Sequence, residues 1–250
     1  MTSQKTSFFR ESVFIEYPSS EKSRSAVLFL HGFPADTGKN EDIARRLSES
    51  AKVSSFVFHY PGLGQSNGKF LFTNSLTESA GFLEYLLGER EFSSVSVVGH
   101  SWGGLNALNL LNSFPQGIDK LILLAPFCVL PSRSEVESQV NEFIDYQIRE
   151  GRNHSDAHTL VSDFENARHS NSPLEIAKTL SNTNTAITII QGLKDTVSAP
   201  IGARTLHQTL GSRCTLIEIN DDHWFKDRDR LFTIVDKILN DRSTSSFTFS

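Results

Sequence analysis

Short, continuous apolar runs alternate with amphipathic segments along this chain. Ser12–Tyr17, Ala26–Leu30, Val53–His59, Val95–Val98, Leu121–Leu124, Ala186–Ile190 and Thr215–Ile219 read as strands. Between them lie stretches with helical spacing. Asn40–Glu49 carries Ile43 and Leu47 four apart, and Leu76, Ala80, Leu83 and Leu87 form one face of a second helix. Trp102–Asn112, a segment around Ala203–Leu210, and the set Leu231, Ile234, Val235 and Ile238 complete the series. The strands are apolar throughout rather than alternating, so both of their faces should be covered. Strand–helix alternation of this kind predicts a mostly parallel sheet with helices on both sides, an α/β fold.

One region breaks the rhythm. Residues from about Pro131 to Asn184 are polar, and Val136, Val140, Phe143, Ile144 and Ile148 mark a single amphipathic helix within them. A stretch this long is no simple connection. It follows the strand at Leu121–Leu124, near the strand ends where open α/β sheets bind ligands. The expectation is one domain over residues 1–250 with a helical cap at about 131–184. The end, Arg242–Ser250, is expected to fray.

Composition narrows the function classes. A chain of 250 residues with net charge −5 can bury a large core and offers no basic face for nucleic acid. The two cysteines, Cys128 and Cys214, sit among apolar residues and read as buried thiols rather than a disulfide or metal pair. The first twenty residues hold no apolar core of signal-peptide length, and the longest apolar run, Leu121–Leu130, is too short to span a bilayer. A cytoplasmic location is expected, and the oligomeric state stays open, a homodimer included.

The candidate chemistry centres on VSVVGHSWGG, residues 95–104. Gly99-His100-Ser101-Trp102-Gly103 matches G-x-S-x-G between a β-branched strand and a helix, the context in which a sharp turn exposes a serine oxygen. A serine nucleophile needs a base, and the base needs an orienting carboxylate. In such folds the acid precedes the histidine in the chain. Downstream of the cap only His207 and His223 are available, and His207 falls inside a helix. His223, directly after the last strand, is the candidate base. Asp195 is the one carboxylate in the loop after Ile187–Ile190 and becomes the candidate acid, ahead of Asp221 and Asp222 beside the histidine. Oxyanion donors should be the backbone N–H groups of Trp102 and Phe33. His154 and His158 have metal-ligand spacing, but no acid stands beside the first as in HExxH, and a polar, solvated cap helix explains them better. Gly62-x-Gly64 lacks the rest of a dinucleotide or P-loop pattern, so no metal or cofactor is expected.

Taken together, GHSWG, HGFP, QGLKD and the DHW segment resemble the α/β-hydrolase superfamily over nearly the whole chain. HYPGLGQSNGKF (residues 59–70) and QGLKDTVSAP are similar to the cytosolic cinnamoyl/feruloyl-esterase-like and serine-aminopeptidase-like branch, which carries a compact helical cap. Such relatives often read D-x-x-G-x-G-x-S where this chain has His59-Tyr60-Pro61-Gly62-Leu63-Gly64-Gln65-Ser66. That departure bears on the packing behind the oxyanion loop, not on the triad. The resemblance implies a serine hydrolase of small-molecule carboxylic esters with small to medium or aromatic acyl groups. An amidase or aminopeptidase, a thioesterase, a C–C hydrolase or a catalytically silent binding module remain alternatives on the same scaffold.

Overall fold

A computed structural model describes residues 4–21, 23–34, 38–50, 53–129, 132–180 and 183–241. Eight strands form one sheet: β1 (Lys5–Phe9), β2 (Ser12–Tyr17), β3 (Ser25–Leu30), β4 (Ser54–His59), β5 (Ser94–His100), β6 (Ile118–Leu124), β7 (Ala186–Gly192) and β8 (Cys214–Ile219). Their order is β1-β2-β4-β3-β5-β6-β7-β8. The β1–β2 and β2–β4 pairs are antiparallel, and the pairs from β4–β3 to β7–β8 are parallel.

The alternation of side chains along each strand divides the interior in two. Leu28, Leu30, Val95, Val97, Leu121 and Leu123 face one core, with α2 (Phe72–Gly88), α3 (Trp102–Ser113) and α7 (Pro200–Leu210). Val27, Phe29, Val98, Ile122 and Leu124 face the other, covered by α1 (Gly38–Ser50) and α8 (Arg228–Asn240). Burial on both faces explains why these strands are mostly apolar on both faces.

The expected helix after β6 is α4 (Arg133–Arg149), with Val136, Val140 and Phe143 buried and Ser132 closing a capping box with Glu135. Two further helices, α5 (Ala157–Ser170) and α6 (Pro173–Thr179), were not predicted by the sequence pattern, nor was the edge strand β1. His154 precedes α5 and His158 lies in its first turn, so the two do not share a helix face. Cys214 opens β8, whereas Cys128 lies in the segment after β6 rather than in a strand. Both are free, and burial pushes both thiols up to about 12. Residues 242–250, where fraying is expected, lie outside the described residues.

The helices between β6 and β7 are fixed to the sheet layer by a helix cap donated from outside the helix. Leu71, at the N-cap of α2, offers no side-chain acceptor. Instead Asp163 of α5 accepts from the Thr73 N–H at 3.0 Å and from the Thr73 hydroxyl. A carboxylate there satisfies an orphan donor and meets the positive end of the helix dipole. Asp163→Ala should cost about 1 kcal/mol, the usual value of a lost N-cap, and Asp163→Asn distinctly less. Urea unfolding of the two variants beside the parent checks this, and equal loss in both would contradict it.

Candidate active site

The tight turn at Ser101 follows from two close approaches of backbone. Ser101 has φ 55 and ψ −116, a conformation ordinary L-residues avoid, and α3 begins at the next residue. The positive φ therefore falls on the serine, and the flanking glycines serve a different need. A Cβ on Gly99 would lie 2.2 Å from the Gly103 carbonyl oxygen, and one on Gly103 would lie 2.1 Å from that of Leu30. Only glycine lets α3 start flush against the end of β3. The turn is then tied to β6, with the Ser101 N–H donating to the Leu124 carbonyl at 2.9 Å and the Ser101 carbonyl accepting from the Phe127 N–H at 3.1 Å.

His223 follows β8 and is nearly fully buried, as are Asp195 and Ser101. Its Nδ1 lies 2.8 Å from Asp195 Oδ2. The other carboxylate oxygen accepts from the Val197 and Ser198 N–H groups at 2.8 and 2.7 Å, and Gln191 Nε2 donates to Oδ2 at 3.1 Å. Burial alone would raise the Asp195 carboxyl, but the His223 ring and these N–H donors outweigh it and hold it below its ordinary value. With an ionised partner, Nδ1 carries the proton and Nε2 is left as the acceptor.

The neighbouring acids are engaged elsewhere. Asp221 accepts from the N–H groups of Asp222, Lys226 and Asp227, and Asp222 from the Trp224 N–H and the Lys226 ammonium. They shape the loop that carries His223. His100, inside the G-x-S-x-G segment, donates from Nε2 to the His223 carbonyl at 2.9 Å, with ring centroids 4.8 Å apart. That bond brings the turn holding Ser101 and the loop holding His223 together.

The loop after β3 is set by a neutral histidine. Burial, reinforced by the electrostatics of His59 and His100, pushes His31 down to about 3. Its Nδ1 donates to the Gly32 carbonyl at 2.8 Å, while Nε2 accepts from the Tyr60 N–H at 3.4 Å. The Gly32 carbonyl and the Phe33 N–H belong to one peptide unit, so the imidazole fixes the plane of that donor. The departure at His59 is accommodated here too. Its ring fills the space a Gly64 side chain would need, Nδ1 accepts from the Gln65 N–H at 3.1 Å, and Glu41 lies 3.6 Å from Nε2.

A narrow cleft opens at Ser101, lined by Phe33, Phe72, Trp102, Phe127, Val136, Gln139 and Phe164. Phe143 of α4 packs behind Phe33, ring centroids 4.9 Å apart, whereas Val136 and Gln139 of α4 with Phe164 of α5 reach the cleft. Among the described residues, no group of three or more His, Cys, Asp or Glu side chains could hold a metal ion.

The sequence profile of the alpha/beta hydrolase fold matches residues 25–160, more than half of the chain. The chain belongs to this family. A Mycoplasma genitalium protein named as an esterase/lipase is 26% identical over 220 residues, covering 79% of this chain and 80% of that one. Among solved structures, the Paleococcus ferrophilus monoacylglycerol lipase aligns with a TM-score of 0.70 at 18% identity, covering 92% and 98% of the two chains. The esterase of Exiguobacterium antarcticum gives 0.69 at 17%, covering 92% and 96%. These structural likenesses are of fold. Ser101, Asp195 and His223 follow the C-terminal ends of parallel strands, the side on which open α/β sheets bind ligands.

Keeping His31 neutral links folding to pH. The unfolded chain takes up a proton at this ring near pH 6.5, whereas the folded chain resists until about 3. Protons therefore favour the unfolded state in that window, and stability should fall as pH drops, by at most about 1.4 kcal/mol per pH unit from this ring. The Asp195 carboxyl acts in the same direction only below its ordinary value of 3.8. Urea unfolding at pH 7 and 4.5 should show a steeper loss in the parent than in His31→Gln, and equal slopes would contradict the assignment.

Proposed function

We propose that this chain is a serine hydrolase that cleaves carboxylic esters through an acyl-enzyme, using its own side chains alone. The observation that carries the reading is the 2.8 Å contact between His223 Nδ1 and Asp195 Oδ2, made from two strand-end loops, with His100, the neighbour of the φ 55 Ser101, bonded to the His223 carbonyl. Such a buried carboxylate fixes the imidazole tautomer and orientation, and stabilises the imidazolium that forms when the ring takes a proton.

Ser101 Oγ attacks the ester carbonyl carbon as its proton passes to His223 Nε2. The Phe33 and Trp102 N–H groups, the latter at the positive end of α3, hold the oxyanion. Collapse of the tetrahedral intermediate breaks the C–O bond, and the imidazolium returns its proton to the leaving alcohol. Water, deprotonated by the same imidazole, then attacks the acyl-enzyme and releases the acid.

The cleft favours small acyl groups. Rings from Phe72, Trp102, Phe127 and Phe164 wall it closely. Phe72 meets Trp102 and Phe164 with ring centroids 4.9 and 5.1 Å apart, so the wall is braced ring against ring. Short aliphatic or flat aromatic acyl groups fit such a space better than long chains. In this reading the helices between β6 and β7 form the cap expected at about 131–184 and supply one side of the substrate site. Family relatives named as esterases and lipases support the same chemistry.

Kinetics with p-nitrophenyl butyrate test the assignment. Ser101→Ala should abolish turnover while leaving the fold intact. Asp195→Asn should lower kcat on the order of 10⁴-fold, as loss of the orienting acid does in a protease triad. Asp221→Asn, which loses only loop hydrogen bonds, should cost about tenfold, or roughly 1.4 kcal/mol. Near-parental turnover by Ser101→Ala would overturn the mechanism, and collapse in Asp221→Asn with Asp195→Asn intact would overturn the choice of acid.

A further inference from the structure

Behind the candidate oxyanion loop lies a buried polar cluster that the mechanism does not use. Tyr60, Ser75 and Asn106 are fully or almost fully buried in an otherwise apolar interior. They come from three places: the residue after β4, α2 and α3. The Tyr60 hydroxyl donates to the His31 carbonyl at 3.1 Å, and the Ser75 hydroxyl to the Phe72 carbonyl at 2.7 Å. Each hydroxyl thereby directs its only hydrogen at a backbone oxygen, and each oxygen is left free to accept. The Asn106 amide, with two N–H bonds, donates to Tyr60 Oη at 3.1 Å and lies 3.5 Å from Ser75 Oγ. Ser75 Oγ also accepts from the Trp102 indole at 2.9 Å. Every hydrogen in the cluster has one direction available to it.

Asn106 Oδ1 is buried with no partner, so the cluster is not explained as a fully satisfied core, and its two ends point to another role. One end holds the carbonyl of His31, two residues before Phe33. The other holds the side chain of Trp102. These are the residues whose N–H groups serve the oxyanion in the proposed mechanism. We propose that Tyr60, with Asn106 and Ser75 behind it, is a positioning residue that holds the two oxyanion donors at a fixed separation. This rests on the serine-esterase reading above. The donors come from different elements, the β3 loop and the start of α3, and their spacing must match one oxygen to within a few tenths of an ångström. Apolar packing alone is tolerant of such shifts, whereas directional hydrogen bonds in a dry interior are not. Removing the Tyr60 hydroxyl frees the His31 carbonyl and lets the β3 loop relax away from α3. Ground-state binding in the cleft is untouched, because none of the three side chains lines it.

Tyr60→Phe removes one oxygen and retains the ring. With p-nitrophenyl butyrate, kcat per fluorophosphonate-titrated site should fall about tenfold or more, less than the roughly 10²–10³ for deleting a donor outright. KM should stay within about twofold. Inhibition by 1,1,1-trifluoropentan-2-one, which forms a tetrahedral oxyanion on the serine, should weaken by the same factor as kcat/KM. Inhibition by butyrate should not change. Asn106→Asp is the second variant, equal in size but with oxygens where Tyr60 and Ser75 need a donor, and it should shift both readouts in the same direction. It decides the matter if Tyr60→Phe does not fold. A purely structural role would lower the unfolding midpoint and the titrated fraction while leaving kcat per site and the trifluoroketone affinity within about twofold, and that result would overturn the proposal. If the parent neither turns over esters nor takes up the fluorophosphonate at Ser101, the esterase reading falls and this inference with it.

Discussion

The first turn of α3 can exist only because Gly103 presents no side chain to the carbonyl of Leu30, 2.1 Å from where a Cβ would stand. That absence lets the helix begin against the end of β3 and forces the reversal into a single residue, Ser101, at φ 55. Much else depends on this contact. It sets how near the β3 loop can come to the helix N-terminus, and so whether two N–H groups from separate elements can share one oxygen. It also holds Ser101 in a conformation it would not adopt alone, at a strain on the order of 1–3 kcal/mol that the bonds to Leu124 and Phe127 help to offset.

Around that turn the chain gathers polar groups that would be costly if any one were left unpaired. Asp195 is surrounded by donors, His31 is held neutral with a donor and an acceptor on its two nitrogens, and Tyr60, Ser75 and Asn106 interlock. Such networks contribute little net stability and much definition of geometry. The arrangement suits a site in which chemistry demands placement more than flexibility. The helices after β6 are tied in by the same means, through Asp163 and Thr73, rather than resting on apolar contact alone.

Much of this was legible in the sequence, for identifiable reasons. Strands such as Ser25–Leu30 and Ser94–His100 are buried on both faces, so their apolar runs stand out. Lys5–Phe9 escaped because it is an edge strand with exposed positions along it, and Pro173–Thr179 because seven residues carry too little periodicity. Ala157–Ser170 buries Leu160, Val161, Phe164 and Ala167, a helical spacing obscured by the polar residues around it. Ser101, Asp195 and His223 stood out as candidates because each follows a strand end in a fixed chain order, and the structure brings His223 and Asp195 into contact. The roles of His100 and Tyr60 were not readable. Each acts on a backbone carbonyl, 123 and 29 residues away, and no side-chain pattern records where a distant carbonyl points.

The account turns on Ser101 carrying the acyl group between two chemical steps. Acid-quenched reaction of the enzyme with p-nitrophenyl butyrate, followed by intact mass and peptide mapping, tests that directly. The account predicts one butyryl group per chain, located on Ser101, formed within the burst of p-nitrophenol release and lost as hydrolysis proceeds. Steady turnover with no adduct even at the earliest quench, or with the butyryl group on any other residue, would contradict it.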